Sequence, residues 1–345
     1  GTRGADMTQH ASLEHLHAIE LPTPFPVGPV TVYLADAPDE TLTLIDTGPR
    51  TADTRAALDA GLERLGYGVT DLESIVVTHA HADHFGLAAE LAAESPARVL
   101  THTWNSATLG DYDGDRSRRI SFYADLMQRA AVPSEIVTAI GQATGNVNRY
   151  AQPVTVNATL QEGDTLRMAN RDWRVLHTPG HSAGLICLYE PASRTLLSSD
   201  HLLADISSNP VVEPPPPGEL ERPRSLVLYQ QSLLRVASMQ IESALPSHGP
   251  IIRDVPGLVR QRLGFHQRRM ARVLEALQQG ARTTWDVTNA LFPDLSPLDT
   301  FLAISEAIGH LELLELEGKI TSTDAGNVVV WRLAQVQEIG SGVAL

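Results

Sequence analysis

Apolar positions recur along this chain in two rhythms. VTVYLAD (30–36), TLTLID (41–46), SIVVTH (74–79) and ARVLTH (97–102) have the length and composition of strands, whereas TADTRAALDAGLERLG (51–66) and DHFGLAAELAAES (83–95) repeat their apolar residues at helical spacing. Alternation of the two predicts an α/β unit. From 105 to 150 the pattern turns helical and rich in Arg, with no strand signal, which predicts an insertion. Strand patterning resumes in ATLQEGDTLRM, DWRVLHTPGH, GLICLYEP and RTLLSSD, separated by Gly, Pro and Asn turns, and suggests a second, duplicated sheet unit. VVEPPPPGELERP (211–223) can be neither a regular helix nor a central strand, so it predicts a rigid extended connection. A helix over 223–242 and a last segment, ALPSHGPI, close this unit.

Beyond residue 256 the period is helical in GLVRQRLGFHQRRMARVLEALQQ, TTWDVTNALF and PLDTFLAISEAIGHLELLELEG. Two short strands follow around the turn residues DAGN. Three helices and a hairpin outline a winged helix. The expected partition is a cloning remnant at 1–6, a catalytic domain at 7–256 with a helical cap at 105–150, a winged-helix-like domain at 257–333 and a tail at 334–345.

Composition narrows the chemistry. The chain has 345 residues and 43% hydrophobic residues, enough for a sizeable core, and no apolar run long enough to cross a bilayer. No signal-peptide pattern follows Met7, so a cytoplasmic location and no membrane partner are expected. Cys187 is the only cysteine, which excludes an internal disulfide and a thiolate-rich metal site. The net charge of −15 disfavours a nucleic-acid partner on average.

Candidate chemistry concentrates in THAHADHFG (78–86). His79 and His81, two apart on an extended segment, point to one side, as two ligands of one ion require. Asp83 and His84 follow where strand gives way to helix, and they can turn toward a second point nearby. One loop can thus serve both halves of a dinuclear centre. Further ligand types end other predicted strands: His181 in HTPGHSAG, Asp200 in LLSSDH and His248 in LPSHGP. Each alone reads equally as a cap or a solvated loop residue.

Together, His79, His81, Asp83, His84, His181, Asp200 and His248 resemble the signature of the metallo-β-lactamase superfamily in its glyoxalase II-like, two-metal form. The resemblance implies an α/β fold, an αββα sandwich with its site at one edge. It further implies His79, His81 and His181 on one ion, Asp83, His84 and His248 on the other, and Asp200 bridging. Asp46 in LIDTGP matches another strand-end motif and would support a ligand from behind; capping a turn is the alternative. His102, His177 and His201 are assigned to packing or support. The expected cofactor is two Zn²⁺ per chain, with Mn²⁺ or Fe as substitutes, and the catalytic carboxylates are Asp83 and Asp200.

A hydroxide held between two such ions attacks a carbonyl or a phosphoryl equally well. The preferred function is hydrolysis of a small thioester, ester or lactone; the alternative is endoribonuclease action on single-stranded RNA. The C-terminal outline resembles the β-lactamase-like 2 group, which includes RNA-cleaving members, and Arg260, Arg262, Arg268, Arg269 and Arg272 make one helix locally basic. Against this, residues 257–333 hold 8 basic and 9 acidic groups. A flavodiiron-type redox role lacks its Glu and its flavin domain. In the cap, Arg116, Arg118, Arg119 and Arg149 are candidates for an anionic substrate tail. A small-molecule substrate and a homodimer complete the expected partners.

Overall fold

The computed structural model describes residues 14–334 except 146 and 281; the expected remnant and all but the first residue of the expected tail lie outside them. A first sheet runs β1 (Leu16–Leu21), β2 (Val30–Ala35), β3 (Thr43–Ile45), β4 (Ser74–Val77), β5 (Arg98–His102) and β6 (Ala158–Leu160) in spatial order. It begins antiparallel and becomes parallel from β3 onward. A second sheet comprises β7 (Thr165–Met168), β8 (Arg171–His177), β9 (Ile186–Glu190), β10 (Thr195–Ser199) and β11 (Ser243–Pro246), with only β10–β11 parallel.

Period-2 alternation decides which residues face which layer. On β2, Tyr33 and Ala35 join Ile45, Val76, Trp173, Val175, Ile186, Leu188, Leu197 and Leu245 in the core between the sheets. Val32 and Leu34 turn the other way, against Leu58 and Leu62 of α1 (Ala52–Arg64). The Tyr33 hydroxyl donates to the Pro246 carbonyl across the interior. The layers therefore stack as helix, sheet, sheet, helix.

On the way from β4 to β5 the chain forms α2 (Ala82–Phe85) and α3 (Ala88–Glu94). The insertion contains α4 (Ser106–Gly110), α5 (Tyr112–Arg129) and α6 (Ser134–Gly145), and α7 (Ser225–Ala237) covers the second sheet. The C-terminal part is α8 (Val255–Gln278), α9 (Thr284–Leu291), α10 (Pro297–Leu316) and the hairpin β12 (Ile320–Ala325)–β13 (Val328–Leu333), which turns on Gly326 at positive φ. α7 is shorter than the helix expected over 223–242, and the chain enters β11 at Ser243.

The helices of the insertion do not stand alone. Met127, Ala130, Val132 and Ile140 pack on Phe301, Ile304 and Ile308 of α10. The outer core of the second sheet is likewise shared: Leu176, Cys187, Tyr229 and Leu233 form one cluster with Met270, Val287, Leu311 and Trp331.

Two buried imidazoles lie in this shared layer. His266 on α8 and His310 on α10 have ring centroids 5.5 Å apart. Burial, reinforced by the Arg262 and Arg269 guanidinium groups, lowers the pKa of His266 from 6.5 to about 4. A depressed histidine contributes its full stability above pH 6.5; below that the unfolded chain takes up a proton the folded chain refuses until about pH 4. Stability should thus decline across that window by up to ~3 kcal/mol for this group. Urea unfolding of His266→Gln should show a shallower acid limb than the parent; equal slopes would refute this.

Candidate metal centre

The site is built where strands of both sheets end. β4 leads into Thr78 and His79, and α2 starts at Ala82 with His81 as its extended N-cap residue, so Asp83 and His84 lie on its single turn. β3, β10 and β11 end just before Asp46, Asp200 and His248, and the turn after β8 carries His181. Asp46 and Ser199, neither a glycine, take positive φ of 60° and 46°. Such backbone is costly and persists where surrounding bonds over-determine it.

Three groups of ligand atoms converge, each with its atoms within 4.8 Å of one another: His79, His81 and His181; His79, His84 and Asp200; Asp83, His84 and His248. His81 Nδ1 lies 3.1 Å from His79 Nε2 and 3.0 Å from His181 Nε2. The Asp200 carboxylate stands between the clusters. Its Oδ2 is 3.5 Å from both His181 Nε2 and His84 Nε2, and its Oδ1 is 3.7 Å from His248 Nε2. Asp83 Oδ2 is 3.5 Å from His248 Nε2. The structure thus brings all seven sequence-derived residues to one place.

What lies behind the imidazoles fixes how they present their nitrogens. His181 Nδ1 meets the Asn209 carbonyl at 3.0 Å and His248 Nδ1 meets the Pro29 carbonyl at 2.7 Å. A carbonyl only accepts, so each Nδ1 carries the proton and each Nε2 turns a lone pair inward. His84 Nδ1 faces Asp46 Oδ2 at 2.9 Å, and Asp46 also accepts from the Thr78 amide and hydroxyl. Asp46 therefore holds His84 from behind and fastens the β4 end as well. The Thr78 hydroxyl also reaches Ser199 Oγ at 2.8 Å.

A cation suits this geometry. His84 Nε2, His248 Nε2 and Asp200 Oδ1 are buried without a hydrogen-bond partner, an expensive state unless something positive sits among them. Burial and the neighbouring imidazoles hold His79 well below its usual pKa; burial lowers His81 and His181 to about 4. These rings are neutral at pH 7, the form in which imidazole binds metal. At His84 burial is outweighed by Asp200, Asp83 and Asp46, which raise its pKa well above normal. Asp83, His81 and His181 are only partly buried, whereas His79, His84, Asp200 and His248 are closed off, so access is from the side of the former.

The arginines of the insertion are placed differently from one another. Arg118 donates to Asp115 Oδ1 and the Pro215 carbonyl; Arg119 donates to Asp115 Oδ2, Glu213 and Thr108. Both are engaged by partners within the protein, Arg119 half-buried and Arg118 still exposed. Arg116 is exposed on α5, and Arg149 lies over the Tyr150 ring at 4.7 Å. His102 and His177 stack on each other at 4.0 Å, and His201 packs against Tyr229. Thr78, Ser199, Asn209 and Glu213 were not foreseen. Two hydroxyls, a backbone carbonyl and one acid at scattered positions carry no spacing signal, though the prolines after Glu213 mark a fixed backbone.

Comparison with known proteins agrees with this picture. Residues 25–248 match the family model described as the metallo-beta-lactamase superfamily, and residues 270–335 match its metallo-beta-lactamase-like C-terminal domain. The probable metallo-hydrolase YqjP of Bacillus subtilis is 34% identical over 321 residues, spanning 92% of this chain and 98% of its own length. The crystal structure of a metallo-beta-lactamase family protein from Thermus thermophilus superposes with a TM-score of 0.77 at 27% identity, covering 92% of this chain and 98% of that one. Bovine acyl-coenzyme A thioesterase MBLAC2 is 30% identical over 125 residues, 36% of this chain and 39% of its own. A cluster built for cations at the edge of paired sheets, inside a match that extends over both parts of a metallo-hydrolase, leaves one assignment: the chain belongs to the metallo-beta-lactamase superfamily and is one of its metallo-hydrolases.

Proposed function

We propose that the protein hydrolyses a small carbonyl substrate, a thioester before an ester or lactone, with two divalent cations, zinc by preference. The observation that carries the reading is the position of Asp200, within 3.5–3.7 Å of His181, His84 and His248. A carboxylate so placed could serve two ions and would offset their combined charge. When bound, such a pair supplies Lewis acidity at the carbonyl and lowers the pKa of a water toward ~7.

The chain's own residues do the rest. His79, His81 and His181 would hold one ion and Asp83, His84 and His248 the other, with Nε2 of His84, His181 and His248 aimed by Asp46, Asn209 and Pro29. Asp83, at the open side, is the carboxylate nearest an entering substrate and is suited to orient its attacking water. The thioester preference is supported by the named activity of the bovine relative, whose match is confined to about a third of this chain.

Nucleic acid is the weaker reading because the arginines of α8 are largely spent. Arg262 is buried, Arg269 pairs with Glu306 at 2.8 Å and lies against Phe292, and Arg272 donates to the Leu291 carbonyl. The test is metal analysis followed by turnover assays with acyl-coenzyme A thioesters, esters, lactones, phosphodiesters and a short single-stranded RNA. Expected are about two ions per chain and thioester or ester turnover that chelation abolishes and zinc restores. One tight ion at zinc saturation, or cleavage of RNA alone, would overturn the proposal.

A further inference from the structure

From Asp200 to Arg224, between β10 and α7, the chain has no regular secondary structure. Connections that long in a compact fold usually have a task. Two groups of this segment touch the loop that carries His181. The Asn209 carbonyl accepts from His181 Nδ1 at 3.0 Å, and Glu213 Oε2 accepts from the Ala183 amide at 2.5 Å, two residues past His181. Glu213 is buried, and Pro214 to Pro217 behind it stiffen the backbone.

The segment is in turn gripped from both flanking parts of the molecule. Arg262, buried on α8 with no carboxylate partner among the described residues, donates through Nη2 to the carbonyls of Leu203, Ala204 and Ile206 at 2.9, 2.9 and 2.8 Å. The Asn209 side-chain amide reaches the Leu302 carbonyl of α10 at 3.4 Å. From the insertion, Arg119 pairs with Glu213 at 3.3 Å while Asp115 holds Arg119 in place.

We propose that Glu213 and Arg262 are positioning residues for His181: residues 203–213 form a brace that sets the tautomer and direction of this imidazole, and the C-terminal part takes part in the metal centre through it. The proposal rests on reading His79, His81 and His181 as one metal-binding trio. The other cluster is oriented by Asp46 and the Pro29 carbonyl, neither of which belongs to the brace. Loss of the brace should therefore be one-sided. Partners that orient a ligand from behind are typically worth ~10–100-fold in metal affinity.

Cobalt(II) titration of the full chain, read by visible absorption beside thermal melting, tests this. Wild type should bind in two resolvable steps. Glu213→Ala and Arg262→Met should weaken one step by ~10–100-fold and alter its absorption bands, leaving the other step in place. Glu213→Gln, whose amide oxygen still accepts from Ala183, should recover much of the loss. Should Arg262→Met not fold, the two Glu213 variants decide alone. Equal weakening of both steps, or unchanged binding beside a lower melting temperature, would overturn the brace while leaving the metal reading intact. A wild type that takes up no cobalt would overturn both.

Discussion

Asp200→Ala should lower kcat by ~10³-fold or more and leave the protein with no more than one tightly bound ion, as read by metal analysis and initial rates. The substitution removes the buried carboxylate that approaches His181, His84 and His248 together. Only Asp83 facing into the cluster, and Asp46 behind His84, would then be left to balance two dications, and charge held that close together inside a protein is costly without Asp200. Asp200→Asn separates charge from shape: the amide fills the same space, so a loss nearly as large would assign the effect to charge. Full activity with both ions retained in either variant would show that another residue occupies the bridging place.

The second large effect is structural. A Cβ added at Gly86 would come under 3.0 Å from the Ala82 carbonyl, the Tyr150 carbonyl and the Arg50 amide. All three are backbone atoms, and the last two are themselves joined by a hydrogen bond of 2.7 Å, so no side chain can swing away to make room. Overpacking of this kind costs ~1–3 kcal/mol, and the upper end or beyond is expected where only backbone can yield. Gly86 directly follows the turn that carries Asp83 and His84. Gly86→Ala should therefore lower the melting temperature by several degrees and weaken metal uptake together. A variant that melts and binds as the parent does would show that the two chain segments separate freely.

The cluster of candidate ligands was legible in the sequence because its residues follow strand ends, where period-2 patterning stops abruptly and a ligand-type side chain appears. His79, His81, Asp83 and His84 came from one loop; His181, Asp200 and His248 each needed the first group to become meaningful. Layer order came from the family resemblance and not from the pattern: Val32 and Leu34 face one layer and Tyr33 and Ala35 the other, but all four are apolar. What supports the ligands was not legible. Asn209 and Pro29 act through backbone carbonyls, which every residue possesses and no pattern marks. Arg118 and Arg119 look from sequence like ligands for an anion, but Asp115 and Glu213, one close and one 94 residues away, supply that anion internally. Arg262 likewise gave a helix its basic character, yet it satisfies three carbonyls instead of facing solvent.

The outer core of the second sheet has no seam at the point where the two family matches part. Leu176, Cys187 and Tyr229 from one side share it with Met270, Leu311 and Trp331 from the other. The two matches thus meet within one continuous interior. A recombination event that exchanged the C-terminal part alone would strip half of a shared interior, and a newcomer would have to match that interior side chain by side chain. Inheritance of the two parts together, as in the full-length alignment with the Bacillus subtilis relative, is what such a common interior selects for.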